Sequence, residues 1–311
     1  MNIGIIGAGK VGIALGHVLQ NKGLAVVAVA SRREKSLLLA RNYIGGKCTY
    51  TTDITEVVRS ADVIAVTTQD REIRAVAQTI FQKVEMLEQK LFFHTSGAHA
   101  ASELSPLDQK GAILGSLHPL QTFPDVNSGI VALPRTYIFI EGDEQGLPLL
   151  DLLASTVGMK AVRIESENKV LYHLSAVFVC NLLCALMHSG EGIMSRIGIG
   201  LEPFFPIIET TLRNIEQKGP LMSLTGPVVR GDAETVASHL KAIKGMDLHE
   251  SVYKVLSQVA LGMAAERKTL TPAQLEELKR ILKNSGQWPE NLGSSGRRTW
   301  GPVAGKTKKT K

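Results

Sequence analysis

Apolar positions in the first half of the chain come as short, unbroken runs. Residues 2–6 form the first and end at Gly7. Others cover 24–30, 61–67, 91–95, 112–116, 135–140 and 160–164, with a shorter one at 48–51. Unbroken apolar runs of this length suit strands of a parallel sheet covered on both faces. Between them, helical periodicity predicts helices over 34–44, 53–60 with Asp53 as cap, 69–81, 100–107 and 147–157. Strands alternating with helices predict an α/β fold: a doubly wound, mainly parallel sheet with right-handed crossovers.

From Glu165 onward the pattern is helical only. Residues 166–194 are apolar nearly all round and predict a buried helix. Helices over 204–218, 233–244, 251–266 and 272–283 follow, with Asp232 and Thr271 as caps and Pro272 at the first helical position. The change of pattern places a boundary near 164. Residues 1–164 form the sheet domain and 165–285 an all-helical substrate or dimerisation domain. The helical part has no sheet edge to pair, so a homodimer through it is the expected way to bury the long helix.

At 311 residues the chain fits two domains, and 44% hydrophobic with 21% charged residues is ordinary for a soluble protein. The net charge of +6 changes the picture only through its location. Residues 286–311 carry Arg297, Arg298, Lys306, Lys308, Lys309 and Lys311 against Glu290 alone, a net +5 of the +6. The basicity belongs to a Gly/Ser/Lys-rich tail of disordered composition, so no nucleic-acid partner is expected. Cys48, Cys180 and Cys184 are an odd set without metal-ligand spacing, which suits reduced thiols in the cytoplasm. Cys180 and Cys184 read as small core residues. The N-terminus enters the first strand directly, and no uninterrupted apolar run reaches the ~20 residues of a membrane span. No membrane partner is therefore expected.

The first run meets Gly7-x-Gly9-x-x-Gly12 and a helix follows at once. Gly7 permits the tight turn, Gly9 lets a pyrophosphate approach the backbone, and Gly12 lets the helix press on the sheet. The residues between them, Ala8, Lys10 and Val11, would place N–H groups at the phosphates. At the end of the second strand, where NAD-binding chains carry an acid, stand Ser31, Arg32 and Arg33. Guanidinium groups there bind a 2′-phosphate, so the expected cofactor is NADP(H). Ligands of such sheets bind beyond the carboxyl ends of the strands, which selects Thr67, Thr68, Gln69 and Asp70, then Ser96 and Gly97, then 117–123 as site loops.

In the last of these, His118 stands beside Pro119 just past a strand end and is the candidate acid or base during hydride movement. A loop-capping structural role is the alternative. The glycine motif, His94-Thr95-Ser96-Gly97, the segment 115–123 with its His118-Pro119-Leu120-Gln121, Lys169-x-x-Tyr172-His173, and 224–232 together resemble one family. It comprises Rossmann-like bacterial proteins with a C-terminal domain of unknown function 2520, often described as deazaflavin-dependent NADP oxidoreductases. The likeness covers about residues 2–283. The Gly-Ser-x-His-Pro run is also similar to prephenate dehydrogenases, which implies a catalytic His118. The helical half is similar to 6-phosphogluconate dehydrogenase-like C-terminal domains.

Lys169, His173, Asn181 and His188 are the notable polar residues of the long helix, within an arc of roughly 120° at 100° per residue. The helices of β-hydroxyacid and ketopantoate reductases similarly offer a lysine and an asparagine to substrate. That implies catalytic or orienting roles for Lys169 and His173 and substrate contacts from Asn181 and Gln121. Lys169 reads equally as a first-turn surface lysine and the histidines as core residues. Thr225-Gly226-Pro227 with Arg230 is a candidate carboxylate clamp, similar to a loop of pyrroline-5-carboxylate reductases. Its alternative is a helix-entry loop with Arg230 paired to Asp232. No metal set is expected. The reading is an NADP(H)-dependent oxidoreductase acting on a small, carboxylated carbonyl or imine compound in an interdomain cleft. Its rivals are a non-catalytic NADP-binding sensor or scaffold, and hydride exchange with a deazaflavin.

Overall fold

The computed structural model describes residues 1–283. The basic tail expected at 286–311 lies outside the described residues. Eight strands form one sheet: β1 Asn2–Ile6, β2 Ala25–Ala30, β3 Thr49–Thr51, β4 Val63–Val66, β5 Leu91–His94, β6 Ile113–Pro119, β7 Tyr137–Gly142 and β8 Lys160–Arg163. Their order is β3-β2-β1-β4-β5-β6-β7-β8, and every pair is parallel except β6 with β7. The unbroken apolar runs have the expected cause. Ile3, Ile5, Val63, Ala65, Leu91 and Phe93 feed the core on one face. Ile6, Ile64, Val66 and Phe92 feed a second core on the other.

Helices α1 Lys10–Asn21, α2 Glu34–Ile44, α3 Ile54–Ser60, α4 Ile73–Lys83, α5 Val126–Ala132 and α6 Leu147–Val157 cover the two faces. Asp53 caps α3 by accepting from the Thr55 amide at 2.9 Å. Strand order reverses beside β1, so the loops after β1 and β4 diverge from one point, the place where such sheets bind ligands. There Gly7 adopts φ 114°, and a Cβ on Gly12 would overlap the Gly7 carbonyl and the Thr67 hydroxyl.

Four local expectations are corrected. The helix after β4 opens as a 3-10 turn over Asp70–Glu72. The stretch expected to be a helix at 100–107 is two 3-10 turns, Ala101–Leu104 and Leu107–Lys110. Helix α5 was not expected, because Asn127-Ser128-Gly129 interrupts its apolar pattern. It forms because Asp125 caps it through the Ser128 amide at 2.8 Å and Val126 enters the core. Strand β6 continues through His118 to Pro119, since antiparallel β7 pairs Phe139 with His118. His118 is thus a strand residue rather than a loop residue.

The long helix runs from Ser166 to Ile197, with α7 Lys169–Ala176, a π turn at Val177–Asn181, and α8 Leu182–Met194. It was expected to be buried, and it is not. Val170, Leu171, Phe178 and Val179 are 63–70% exposed, and Cys180 and Cys184 are exposed rather than core residues. The helix is 32 residues long and an 18-residue window of it has a mean hydropathy of 2.0, so it is long and apolar enough to cross a membrane by length and composition. Counting uninterrupted apolar residues misses this, because Ser175 and Asn181 break the run without lowering the average much.

The first compact unit spans Met1–Leu183, so it extends past the boundary expected at 164 and takes in α7. The second starts at Cys184 and is helical. It contains α9 Phe205–Ser223, α10 Pro227–Arg230, α11 Ala233–Ala242, α12 Asp247–Glu266 and α13 Pro272–Leu282. Its core is Val228, Val236, Leu261, Leu278 and Leu282. Asp232 caps α11, and a Thr271–Gln274 capping box starts α13.

A Gly12→Ala change tests the corner beneath the site. The added Cβ must displace backbone at Gly7, so unfolding free energy in urea should fall by about 1–3 kcal/mol. A wild-type midpoint would show that the corner is not tightly packed.

Candidate active site

A cavity of about 520 Å³ opens at the carboxyl ends of the central strands. Gly7, Ala8, Gly9, Ser31, Arg32, Arg33, Thr67, Thr68 and Gln69 line it, as the sequence predicts. Lys10, Val11 and Gly12 are not in that lining; they form the first turn of α1, with Lys10 exposed and Gly12 buried beneath. A Cβ on Gly9 would have nothing within 4 Å among the described residues, so the backbone is open to an approaching group. Helix α1 has no side-chain cap and no acid in its first turn. Its free N–H groups and positive dipole end are available to an anion. The Thr68 hydroxyl is buried without a hydrogen-bond partner among the described residues, which marks a polar atom suited to a ligand.

The far end of the cavity is basic. Arg32 and Arg33 are joined there by Arg71 and Lys83. Arg32 pairs with Glu72 at 3.0 Å, and Arg71 lies 3.6 Å from the same carboxylate. No local pattern marks Arg71, Glu72 or Lys83, because the sheet, not chain proximity, brings the turn after β4 and α4 beside β2.

A second group of side chains gathers around the ends of β5, β6 and β7. In register, His94 lies beside Ser116 and Ser116 beside Glu141. His118 Nδ1 is 2.7 Å from the Tyr172 hydroxyl, and the Tyr172 ring packs on Phe139 at 4.0 Å. The rings of His118 and His173 are 6.1 Å apart, edge to face. Both border Gly97: a Cβ there would stand 2.7 Å from His173 Nδ1 and 2.9 Å from His118 Nε2. His173 Nδ1 is buried without a partner among the described residues. Ser96 donates to Asp70 at 2.8 Å and accepts from the Ala98 and His99 amides. The loop 67–70 therefore connects this cluster to the cavity.

Two histidines here are neutral for stated reasons. His94 Nε2 donates to the Ala100 carbonyl at 2.9 Å, and its Nδ1 accepts from the Ser96 amide at 3.2 Å. Burial pushes its pKa down to about 4. Burial, then the nearby Lys169 and His173, push His118 down to about 4 against a smaller opposing effect of Asp70. Burial likewise raises the Tyr172 phenol pKa.

Lys169 is not a surface lysine; it is 2% exposed. Its ammonium bonds the Ser116 hydroxyl and the Ser96 carbonyl and lies 3.4 Å from Glu141. Glu141 also accepts from the Ala101 amide and the Ser166 hydroxyl, both at 2.7 Å. Burial pushes the Lys169 pKa down and Glu141 opposes it. Three donors meet three acceptors, so Lys169 ties β6, β7 and the loop after β5 together.

The remaining predicted residues lie elsewhere. Gln121 is exposed and spends its amide on Thr136 and Thr122. Asn181 ends the π turn and is exposed, as is His188. A π turn winds more residues per turn than an α-helix, so the uniform arc assumed for Lys169, His173, Asn181 and His188 does not hold. Thr225 and Arg230 belong to the second unit and are both exposed. Sequence reasoning gave no role to Tyr172, Ser116 or Glu141, although the first two stand in the motifs of the resemblance. Tyr172 carried a usable signal, since positions i, i+3 and i+4 from Lys169 share one helix face.

A family model described as a Rossmann-like domain matches residues 1–119, and one described as a domain of unknown function 2520 matches residues 136–260. No curated protein matches the chain. Among solved structures, a protein of Bacteroides fragilis provisionally named an NADP oxidoreductase is 25% identical, with TM-score 0.69 over 84% of this chain and 97% of that one. A protein of Thermotoga maritima is 24% identical, with TM-score 0.67 over 86% and 99%. A reductive aminase from Aspergillus terreus, solved with NADPH and ethyl levulinate, shares the fold at 13% identity, with TM-score 0.65 over 90% and 98%.

The two neutral histidines predict a pH dependence of stability. Their folded pKa values of about 4 lie below the ordinary 6.5. Between those values the unfolded chain binds the extra protons, so stability rises with pH there and gains nothing from these rings above it. The slope from the pair approaches about 2.7 kcal/mol per pH unit, and His94→Gln should halve it. Equal slopes for wild type and variant in urea titrations at pH 4.5–6.5 would refute this.

Proposed function

We propose that this chain, which belongs to the proteins joining a Rossmann-like domain to a domain of unknown function 2520, is an NADP(H)-dependent oxidoreductase. Its substrate is a small carbonyl or imine compound. The observation that carries this reading is the cavity itself. An uncapped helix N-terminus stands over the open Gly9 backbone at one end and a cluster of guanidinium groups at the other. That set of donors suits a dinucleotide with an added 2′-phosphate. The provisional name of the Bacteroides fragilis protein and the NADPH held by the Aspergillus terreus enzyme support it.

In this reading Ala8, Gly9 and the first turn of α1 hold the pyrophosphate. Arg32 and Arg33 would hold the 2′-phosphate, and the unpartnered Thr68 hydroxyl would meet a polar group of the cofactor. Bound NADPH would supply the hydride. That hydride would add to the carbonyl or imine carbon, the π electron pair would pass to the heteroatom, and water would supply the heteroatom's proton. His118 touches that heteroatom and stabilises the charge developing on it. His173 faces the same space across Gly97.

Titration with NADPH and NADH, read by nicotinamide fluorescence, tests the cofactor. NADPH should bind more tightly, and the Arg32→Ala, Arg33→Ala double variant should lose about 10- to 100-fold of its affinity with little effect on NADH. Binding of neither would end the enzyme reading. In a metabolite screen following NADPH oxidation, His118→Ala should cut turnover with NADPH affinity unchanged. Binding without turnover of any compound would favour a sensor.

We also propose that a second copy of this chain covers the long helix. Its exposed Val170, Leu171, Leu174, Phe178, Val179 and Leu182 leave roughly 600 Å² of apolar surface, near the ~800 Å² that one partner of a stable interface buries. Light scattering should give a dimer mass, and Phe178→Glu with Val179→Glu should give a monomer. A wild-type monomer in buffer, or flotation with lipid vesicles, would overturn this assembly.

A further inference from the structure

We propose that Tyr172 is a positioning residue whose hydroxyl donates to Nδ1 of His118. It thereby fixes the ring proton on Nε2, so that His118 acts as a neutral hydrogen-bond donor. The assignment of the proton stands on geometry alone. The use of Nε2–H toward a reacting heteroatom rests on the function proposed above.

The 2.7 Å contact between Tyr172 and His118 Nδ1 can be made in two ways. A phenol is the stronger donor and an imidazole nitrogen the more basic acceptor, so O–H···N is the better bond. The neutral ring then carries its one proton on Nε2. Neither partner is free to turn away. His118 is held in β6 opposite Phe139, and the Tyr172 ring packs on that same Phe139 at 4.0 Å. Tyr172 also lies on α7, which Lys169 anchors to Ser116, Ser96 and Glu141.

Nε2 faces the bare α-carbon of Gly97, in space that any side chain there would fill. The charged and titratable groups around the ring are Lys169 and His173 from α7, His94 from β5 and Asp70 from the turn after β4. The buried ammonium of Lys169 opposes a second positive charge, and Asp70, exposed and already bonded to Ser96, offsets it only in part. The ring therefore works without an added proton at neutral pH. A neutral imidazole donates a hydrogen bond to a polarised carbonyl or imine without first acquiring a proton.

The test reads the tautomer directly. Multiple-bond ¹H–¹⁵N spectra of the full chain at pH 7, with His118 assigned by its loss in His118→Gln, should show the Nε2–H form. The His118 signals should not titrate between pH 5 and 8. Tyr172→Phe keeps the ring on Phe139 and should melt near wild type, yet it should mix the two tautomers. If the enzyme turns over a compound, kcat of Tyr172→Phe should drop about tenfold or more with NADPH affinity unchanged. An Nδ1–H form in the wild type, or an unchanged tautomer in Tyr172→Phe, would overturn the proposal. A fixed Nε2–H tautomer that Tyr172→Phe disrupts, in a chain that reduces nothing, would uphold the role of Tyr172 while the oxidoreductase reading fell.

Discussion

The site depends on a buried ion pair. Lys169 and Glu141 lie 3.4 Å apart at 2% and 3% side-chain exposure. Two charges in such surroundings persist only if every remaining donor and acceptor is met. Here the ammonium reaches Ser116 and Ser96, and the carboxylate accepts from Ala101 and Ser166. Those contacts join β6, β7, the loop after β5 and helix α7. Tyr172 and His173 follow Lys169 by three and four residues, so the pair also aims the side chains above it. Lys169, which reads from sequence equally as a surface lysine, is instead buried and bonded on three sides.

The cavity rests on a different constraint, the absence of side chains. Gly12 brings α1 against Gly7 and Thr67, while Gly9 leaves the backbone open. The same logic recurs at Gly97, where two imidazoles border a position without a Cβ. The loop carrying Thr67 to Asp70 belongs to both places, lining the cavity and bonding Ser96. The cavity and the neutral His94 and His118 thus lie close together on one sheet. The neutrality has a cost that shows as acid sensitivity, because burial must be undone before these rings can charge.

The long helix is where local pattern misleads. Apolar residues on most of its faces imply a cover, which the chain's own core does not supply. The exposure of Phe178 and Val179 shows that the described chain leaves them open. Hydrophobicity states that a surface needs burying and is silent about which molecule buries it.

The sequence by itself determined the sheet, the glycine corner and the basic end of the cavity. Each depends on near neighbours: unbroken strand runs, a strand–glycine–helix turn, and Ser31-Arg32-Arg33 at one strand end. It also marked the caps Asp53, Asp232 and Thr271, which act within three residues. Only tertiary structure decided which polar residues meet. Lys169 finds Glu141 across 28 positions, His118 finds Tyr172 across 54, and Arg32 finds Glu72 across 40. No local pattern encodes such pairs, because sheet order and helix docking set them. The antiparallel turn of β7 similarly drew His118 into a strand. The π turn moved Asn181 off the expected face for the same reason: helical phase after such a turn depends on how the whole helix packs.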